Sequence, residues 1–331
     1  MDGLVDTYQR QINYLRISIT DRCNLRCVYC MPPEGVASLS HGSILSYEEI
    51  LRIVKVAVRE GIRKIRITGG EPLVRKGVVD LIGRLSKVQG IEDLSITTNG
   101  ILLSEYAQAL YDAGLMRVNV SMDSLRPELF SEITRGGNLS LVWKGIEKAE
   151  AVGLKPIKIN VVAMKGLNDT EVVDFARLTL GHAYHIRFIE FMPVGRENGW
   201  HLDTYLSGMA IKQAIEKRFN LQPLALKANA NNGPAELFRI EGGHGMIGFI
   251  NAISSHFCAS CNRLRLTADG KLRPCLFSDA EIDIRKVLRQ GDSDEEIKAH
   301  LHTVLSAKPR KHALAEPSFR KCVRPMVTIG G

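Results

Sequence analysis

Six of the seven cysteines fall into two tight triplets. Cys23, Cys27 and Cys30 form a CxxxCxxC run, and Cys258 and Cys261 form a CxxC followed, after thirteen residues, by Cys275. Three thiolates within eight residues can hold three irons of a four-iron cube, thiolates being the usual ligands of such clusters. A missing fourth protein ligand leaves one metal position open to an exogenous ligand. Zinc completed by a distant residue, or a set of buried free thiols, competes with iron at the first triplet. A zinc ribbon completed by His256 or Cys322 competes at the second. The first twenty residues lack the apolar core and small-residue cleavage site of a secretion signal. In such a chain an odd number of cysteines argues against a disulfide framework.

A second set of residues points to an anionic ligand. Lys64, Arg66 and Thr68 alternate, as do Lys158 and Asn160, so each set shares one face of an extended strand. Cations directed into a packed interior are costly unless an anion offsets their desolvation. An anionic ligand does so, at roughly 1.5–3 kcal/mol per charged hydrogen bond. Arg263 and Arg265 are spaced about 6.6 Å apart in an extended chain, which suits two phosphoryl groups, although either arginine taken alone reads as a surface residue. Arg187 reads as inward-facing too. In Gly69-Gly70-Glu71-Pro72 the two glycines let backbone approach a ligand without a Cβ clash, and the proline sets the next turn. The sequence ends in Gly330-Gly331, read as a frayed end or as an activated carboxylate. Cys322, outside both triplets, reads as a buried free thiol.

The elements that must position these residues alternate. Strand-like stretches begin at Tyr14, Lys64, Asp93, Arg117, Pro156 and His185, and helical periodicity runs over 47–59, 78–88, 102–112 and 141–152. Ser46 and Glu49 form a capping-box pair ahead of the first of these helices. Strands alternating with helices imply parallel pairing and an α/β fold. Six such units fit an open doubly wound sheet or an incomplete barrel, a full barrel having eight. The cysteine loop, the GGEP segment, Thr97, Ser121 and Met192 all follow or end strands, on the rim where parallel α/β folds bind ligands. After about residue 220 the pattern becomes irregular, and Lys227 to Pro234 reads as a hinge loop into a smaller C-terminal cap.

The 331 residues allow one large domain or two ordinary ones, with 45% hydrophobic and 24% charged residues, which rules out wholesale disorder. No apolar run reaches the ~18 residues of a membrane helix. A cytoplasmic protein is the expectation. The net charge of +8 fits nucleic acid, a nucleotide or a phosphorylated metabolite, and does not choose among them.

CxxxCxxC with Tyr29 before its last cysteine, followed by GGEP, resembles the radical S-adenosylmethionine superfamily. The stretch FCASCNRLRLTADGKLRPCLF, residues 257–277, resembles within it the family that cyclises GTP in molybdenum cofactor biosynthesis. The resemblance covers nearly the whole chain, from about Arg16 onward. It implies an incomplete (β/α)6 TIM-like barrel with a C-terminal iron–sulfur cap region. Residues 1–225 would form the partial barrel with a [4Fe–4S] cluster on Cys23, Cys27 and Cys30. Residues 226–331 would hold a second [4Fe–4S] cluster on Cys258, Cys261 and Cys275, and the Gly-Gly tail.

The same resemblance implies that Tyr29, Gly70, Ser121 and Met192 contact S-adenosylmethionine. It implies that Arg16, Arg66, Thr97, Lys158, Arg263, Leu264 and Arg265 contact GTP, and that Gly330 and Gly331 enter the active site. We group Arg187 with these last two as catalytic. The implied reaction is abstraction of the ribose 3′ hydrogen by a 5′-deoxyadenosyl radical, then attack on C8 of guanine. The expected partners are an electron donor of flavodoxin or ferredoxin type and a downstream cyclic pyranopterin monophosphate synthase. Neither membrane nor nucleic acid is expected, and a homodimer is admitted. Two rivals stand beside this reading: a radical enzyme acting on peptide or RNA, and a non-catalytic zinc module that binds nucleic acid.

Overall fold

Apolar residues alternate with polar ones in Tyr14–Ser18 (β1), Lys64–Thr68 (β2), Asp93–Thr98 (β3), Arg117–Ser121 (β4), Lys158–Ala163 (β5) and His185–Glu190 (β6). In a computed structural model, which describes residues 3–195, 198–224, 233–291, 293–314 and 321–330, these six strands pair in sequential order and in parallel. Sequential order excludes the doubly wound alternative, in which strand order reverses at a switch point. What forms is a partial barrel.

The connecting helices are Tyr47–Arg59 (α1), Val78–Ser86 (α2), Leu103–Asp112 (α3), Pro127–Thr134 (α4), Leu139–Val152 (α5) and Val172–Gly181 (α6). The expected capping box is present: Glu49 N–H donates to Ser46 Oγ at 3.1 Å and Ser46 N–H to Glu49 Oε2 at 2.7 Å. Helix α5 starts two residues earlier than its periodicity indicated, because Asn138 Oδ1 caps it by accepting from Ser140 N–H at 2.9 Å. Helices α4 and α6 were not foreseen.

Strand alternation decides the two faces of the sheet. Leu15, Ile17, Ile65, Ile67, Ile96, Val118, Val120, Ile159, Val161, Ile186 and Phe188 are buried in one core with the helix residues Ile50, Ile53, Val54 and Ala57. The opposite face carries Tyr14, Arg16, Lys64, Arg66, Thr97, Arg117, Lys158, Asn160 and Arg187, which wall a cavity. An ordinary barrel fills that space with branched apolar side chains. Here it is lined with cations.

The chain beyond β6 adds strands at both edges of the same sheet. After Gly208–Glu216 (α7) come Leu221–Pro223 (β7), Glu236–Ile240 (β8), Met246–Ile250 (β9), Arg263–Leu266 (β10), Lys271–Arg273 (β11) and Ile282–Asp283 (β12). β9 pairs parallel to β6 and β10 parallel to β1, so eight neighbouring strands are parallel, and no pairing closes the sheet among the described residues. Three further helices follow: Ile284–Gln290 (α8), Asp294–Ser306 (α9) and the short Met326–Ile329 (α10). The expected domain boundary, after residue 225, and the expected hinge over 227–232 lie outside the described residues, while the hinge's last two residues, Gly233 and Pro234, line the cavity. No helix among the described residues is long and apolar enough to cross a membrane.

Candidate active site

Both cysteine triplets wall the one cavity on the polar face of the sheet. The loop after β1 carries the first. Arg26 N–H donates to Thr134 O at 3.1 Å and Val28 N–H to Ile133 O at 2.9 Å, tying the loop to the end of α4. Tyr29 Oη donates to Asp123 Oδ2 at 2.7 Å, and Val162 N–H to Asp123 Oδ1 at 2.8 Å, which fixes the loop against β5. On the other side Gly70 N–H donates to Thr20 O at 2.7 Å and Glu71 N–H to Arg22 O at 2.8 Å. A Cβ at Gly70 would stand 2.3 Å from Arg22 O, so only glycine permits this contact. Glu71 in turn accepts from Thr98 Oγ1 at 2.8 Å, Asn99 N–H at 2.7 Å and Leu73 N–H at 3.0 Å.

Burial raises the first-triplet thiols and Cys258 alike, and Cys261 is the exception. Burial pushes the Cys23 thiol up to about 11 and Cys30 to about 12, and holds Cys27 well above the usual range. The neighbouring carboxyls are raised by burial as well, Glu71 to about 7 and Asp123 to about 6. At Cys261 burial also acts upward, but the charges of Arg263 and Lys308 outweigh it and bring the thiol down to about 7.

Iron–sulfur ligation fits both groups of thiols. None is in a disulfide, and N–H donors point at their sulfurs: Leu25 N–H and Asn99 Nδ2 at Cys23 (3.4 and 3.8 Å), and the Val327 amide at Cys30. Cluster thiolates accept such bonds. Among the described residues no three His, Cys, Asp or Glu side chains are grouped to hold a single metal ion. Cluster thiolates each bind a different iron, which needs a wider spacing than the ligands of one ion.

Between the triplets lie rows of cations. The register sets Arg265, Arg16, Arg66 and Ser95 side by side on β10, β1, β2 and β3, and Arg263, Tyr14, Lys64 and Asp93 side by side in the row below. Neighbouring strands are about 4.8 Å apart, and like charges directly opposite repel. Arg117 pairs with Asp93. Arg66, Lys158, Arg187, Arg263 and Arg265 have no carboxylate within ion-pair distance among the described residues.

Burial lowers the basicity of Arg16 and Arg187 strongly, with neighbouring arginines adding to the effect. Burial, then the charges of Arg187, Arg117 and Arg66, pull Lys158 down to about 6. Tyr14 goes the other way for a phenol. Burial alone would raise it, but Arg66, Arg16, Arg117 and Arg263 together outweigh that and lower it. Tyr14 Oη, Thr97 Oγ1, Asn160 Oδ1 and Arg187 Nε are buried here without a hydrogen-bond partner. Buried polar groups left unpaired in a cationic pocket describe a polyanion's binding site.

Comparison with known proteins fits this geometry. Residues 17–179 match the Radical SAM superfamily model and residues 184–314 the Molybdenum Cofactor Synthesis C model. A protein of Thermodesulfovibrio yellowstonii named GTP 3′,8-cyclase is 53% identical, covering 98% of this chain and 99% of that one. One of Alkaliphilus metalliredigens with the same name is 51% identical over equal coverage. The chain belongs to the GTP 3′,8-cyclase family. Streptococcus suis SuiB, in its crystal structure bound to precursor peptide SuiA, shares the fold with a TM-score of 0.62 at 15% identity, covering 96% of this chain and 76% of that one. Membership of the family and of its superfamily brings the cofactors: [4Fe–4S] clusters, for which both cysteine motifs are present, and S-adenosylmethionine.

Against this GTP 3′,8-cyclase framework the residues singled out from sequence can be placed. Arg16, Arg66, Thr97, Lys158, Arg187, Arg263 and Arg265 wall the cavity, as do Tyr29, Gly70, Ser121 and Met192. Leu264 does not. Strand alternation turns its side chain away from Arg263 and Arg265 into the core, where it is fully buried, so any ligand contact from it must use its backbone. Gly330 is buried at φ +84°, and its carbonyl accepts from Arg265 Nη1 at 2.5 Å. A Cβ there would lie 2.4 Å from Thr68 Oγ1. Gly331 lies outside the described residues. Cys322, 1% exposed, packs with Val194 and Ile329, apart from both triplets.

Sequence reading missed Tyr14, Arg117 and Lys308 as site residues. Tyr14 stands two before Arg16 and shares its face, so the alternation that found Arg16 applied to it equally. Lys308 carried no signal, since it reaches the site from a loop after α9.

Proposed function

We propose that the protein is a GTP 3′,8-cyclase that converts GTP to 3′,8-cyclo-7,8-dihydro-GTP, the first step of molybdenum cofactor biosynthesis. The observation that carries this beyond family membership is the double row of inward cations between the two thiol triplets. An ordinary peptide carries no run of negative charge to match such a row. A nucleoside triphosphate does.

Cys23, Cys27 and Cys30 hold the first cluster and Cys258, Cys261 and Cys275 the second. When bound, the first cluster and S-adenosylmethionine supply one-electron cleavage and a carbon radical. The backbone at Tyr29 and Gly70, with Ser121 and Met192, seats S-adenosylmethionine at the carboxyl ends of the strands. Arg16, Arg66, Lys158, Arg263 and Arg265 hold the phosphates, and Thr97 supplies an unpaired hydroxyl. With the phosphates fixed, the ribose is held toward the S-adenosylmethionine end, and orientation of this kind lowers the barrier for the intended hydrogen over any other.

Arg187, Gly330 and Gly331 complete the site, and the tail's fit against Thr68 and Ser18 supports a role inside it. The reading divides the chain into residues 1–225, the barrel, and 226–331, the second-cluster region. It takes the protein as cytoplasmic, served by an electron donor of flavodoxin or ferredoxin type and followed by a cyclic pyranopterin monophosphate synthase. A homodimer is compatible with it.

The test is anaerobic reconstitution with iron and sulfide, then reductant and S-adenosylmethionine, with 5′-deoxyadenosine measured with and without GTP. GTP-dependent 5′-deoxyadenosine together with a cyclised product of GTP mass is expected. Cleavage indifferent to GTP would overturn the substrate. No cleavage by cluster-loaded protein would overturn the radical chemistry.

A further inference from the structure

Lys308, in the loop after α9, is 3% exposed. An ammonium has three donors, and all three are placed here. Lys308 Nζ donates to Arg263 O at 2.8 Å, to Pro274 O at 2.8 Å and to Cys261 Sγ at 3.5 Å. These acceptors are a second-triplet sulfur, the carbonyl two residues beyond it, and the carbonyl of the residue preceding Cys275. Arg10 stands behind. It is 7% exposed and held by Asp6 at 2.5 Å. It donates to Cys258 O at 2.7 Å, to Pro309 O at 2.8 Å and to Arg310 O at 3.2 Å. Arg10 thus fixes the loop that delivers Lys308 and touches the remaining cysteine of the triplet. Between them the two cations reach Cys258 and Cys261 directly and the carbonyl preceding Cys275.

No carboxylate among the described residues lies within ion-pair distance of the Lys308 ammonium, so its charge is offset by the thiolate side of the site. Among the described residues the first triplet has no such cationic donor, and its sulfurs accept from neutral groups, those of Asn24, Leu25, Tyr29, Asn99 and Val327. A cluster's potential follows its net charge and the hydrogen bonds to its sulfurs. A cationic donor stabilises the reduced, more negative state most.

We propose that Lys308 is a positioning residue for the second cluster. It braces the segments bearing Cys261 and Cys275, with Arg10 securing Cys258, and its charge holds the cluster's reduction potential up. The inference rests on the second triplet holding a [4Fe–4S] cluster.

The test uses the full chain carrying Cys23→Ser, Cys27→Ser and Cys30→Ser, so that only the second cluster remains, with Lys308 wild type, Lys308→Met or Lys308→Arg. Iron and sulfide are counted and the midpoint potential is followed by electron paramagnetic resonance. A midpoint lowered in Lys308→Met and largely restored in Lys308→Arg is expected. An unshifted midpoint in Lys308→Met at full iron content would overturn the proposal. Should Lys308→Met lose its iron, recovery in Lys308→Arg upholds the brace and its failure there overturns it. If the Lys308 background itself binds no cluster, the ligand assignment fails first, visibly apart from any effect of Lys308.

Discussion

At the scale of single residues, the site is a balance between like charges and an absent opposite one. Lys158 shows it best, because burial and the charges of Arg187, Arg117 and Arg66 bring its ammonium down to about 6. Near pH 7.5 the free protein therefore keeps Lys158 mostly neutral. A bound triphosphate returns the favourable partner and restores the proton. The complex then binds more protons than the free protein above pH 6, so affinity must fall as pH rises, by at most about tenfold per unit. Calorimetry of GTP binding in two buffers of different ionisation enthalpy should register proton uptake near pH 7.5. Lys158→Met should abolish that uptake and, by removing a charged hydrogen bond of roughly 1.5–3 kcal/mol, weaken binding about 10- to 150-fold. Uptake unchanged in the variant would assign the proton elsewhere.

At the scale of elements, the cysteine loop is held by what surrounds it. Gly70 packs its backbone on Arg22, one residue before Cys23, and Tyr29 is pinned by Asp123. A Cβ at position 70 would meet backbone oxygen and carbon at 2.3 and 2.6 Å, and neither can yield as a side-chain tip would. Gly70→Ala should therefore push the loop away and lose first-cluster iron, while the second triplet, on the segments before β10 and after β11, keeps its own. Iron per chain should fall by about half, and S-adenosylmethionine binding with it; a full complement would show the loop more pliant than its contacts. The glycine pair was legible because a close backbone approach leaves a compositional mark. So was α1, whose cap and apolar stripe are both local. Helices α4 and α6 were not: α4 has only eight residues, and at both tertiary packing rather than local periodicity fixes the helix.

At the scale of the whole molecule, sequence reading separated a barrel from a cap, and the sheet joins them. Six strands were legible from alternation, since each is a local pattern. That β9 and β10 would flank them, beside β6 and β1, depends on pairing between residues as distant as Leu15 and Leu264, which no local pattern encodes. The consequence is mechanical. Leu264, Leu266, Ile247 and Phe249 belong to the same core as Leu15, Ile17, Ile186 and Phe188. The region bearing the second triplet thus cannot open without uncovering both edges of the barrel. Cooperative units exchange their amide hydrogens together. In native-state exchange at rising denaturant, the amides of β9 and β10 should merge with those of β1 and β6 into one isotherm of common slope. Earlier merging of β9 and β10 would mean that the second-cluster region unfolds alone. One isotherm would mean that the barrel strands and those of the second-cluster region are kept in register by a single folding event.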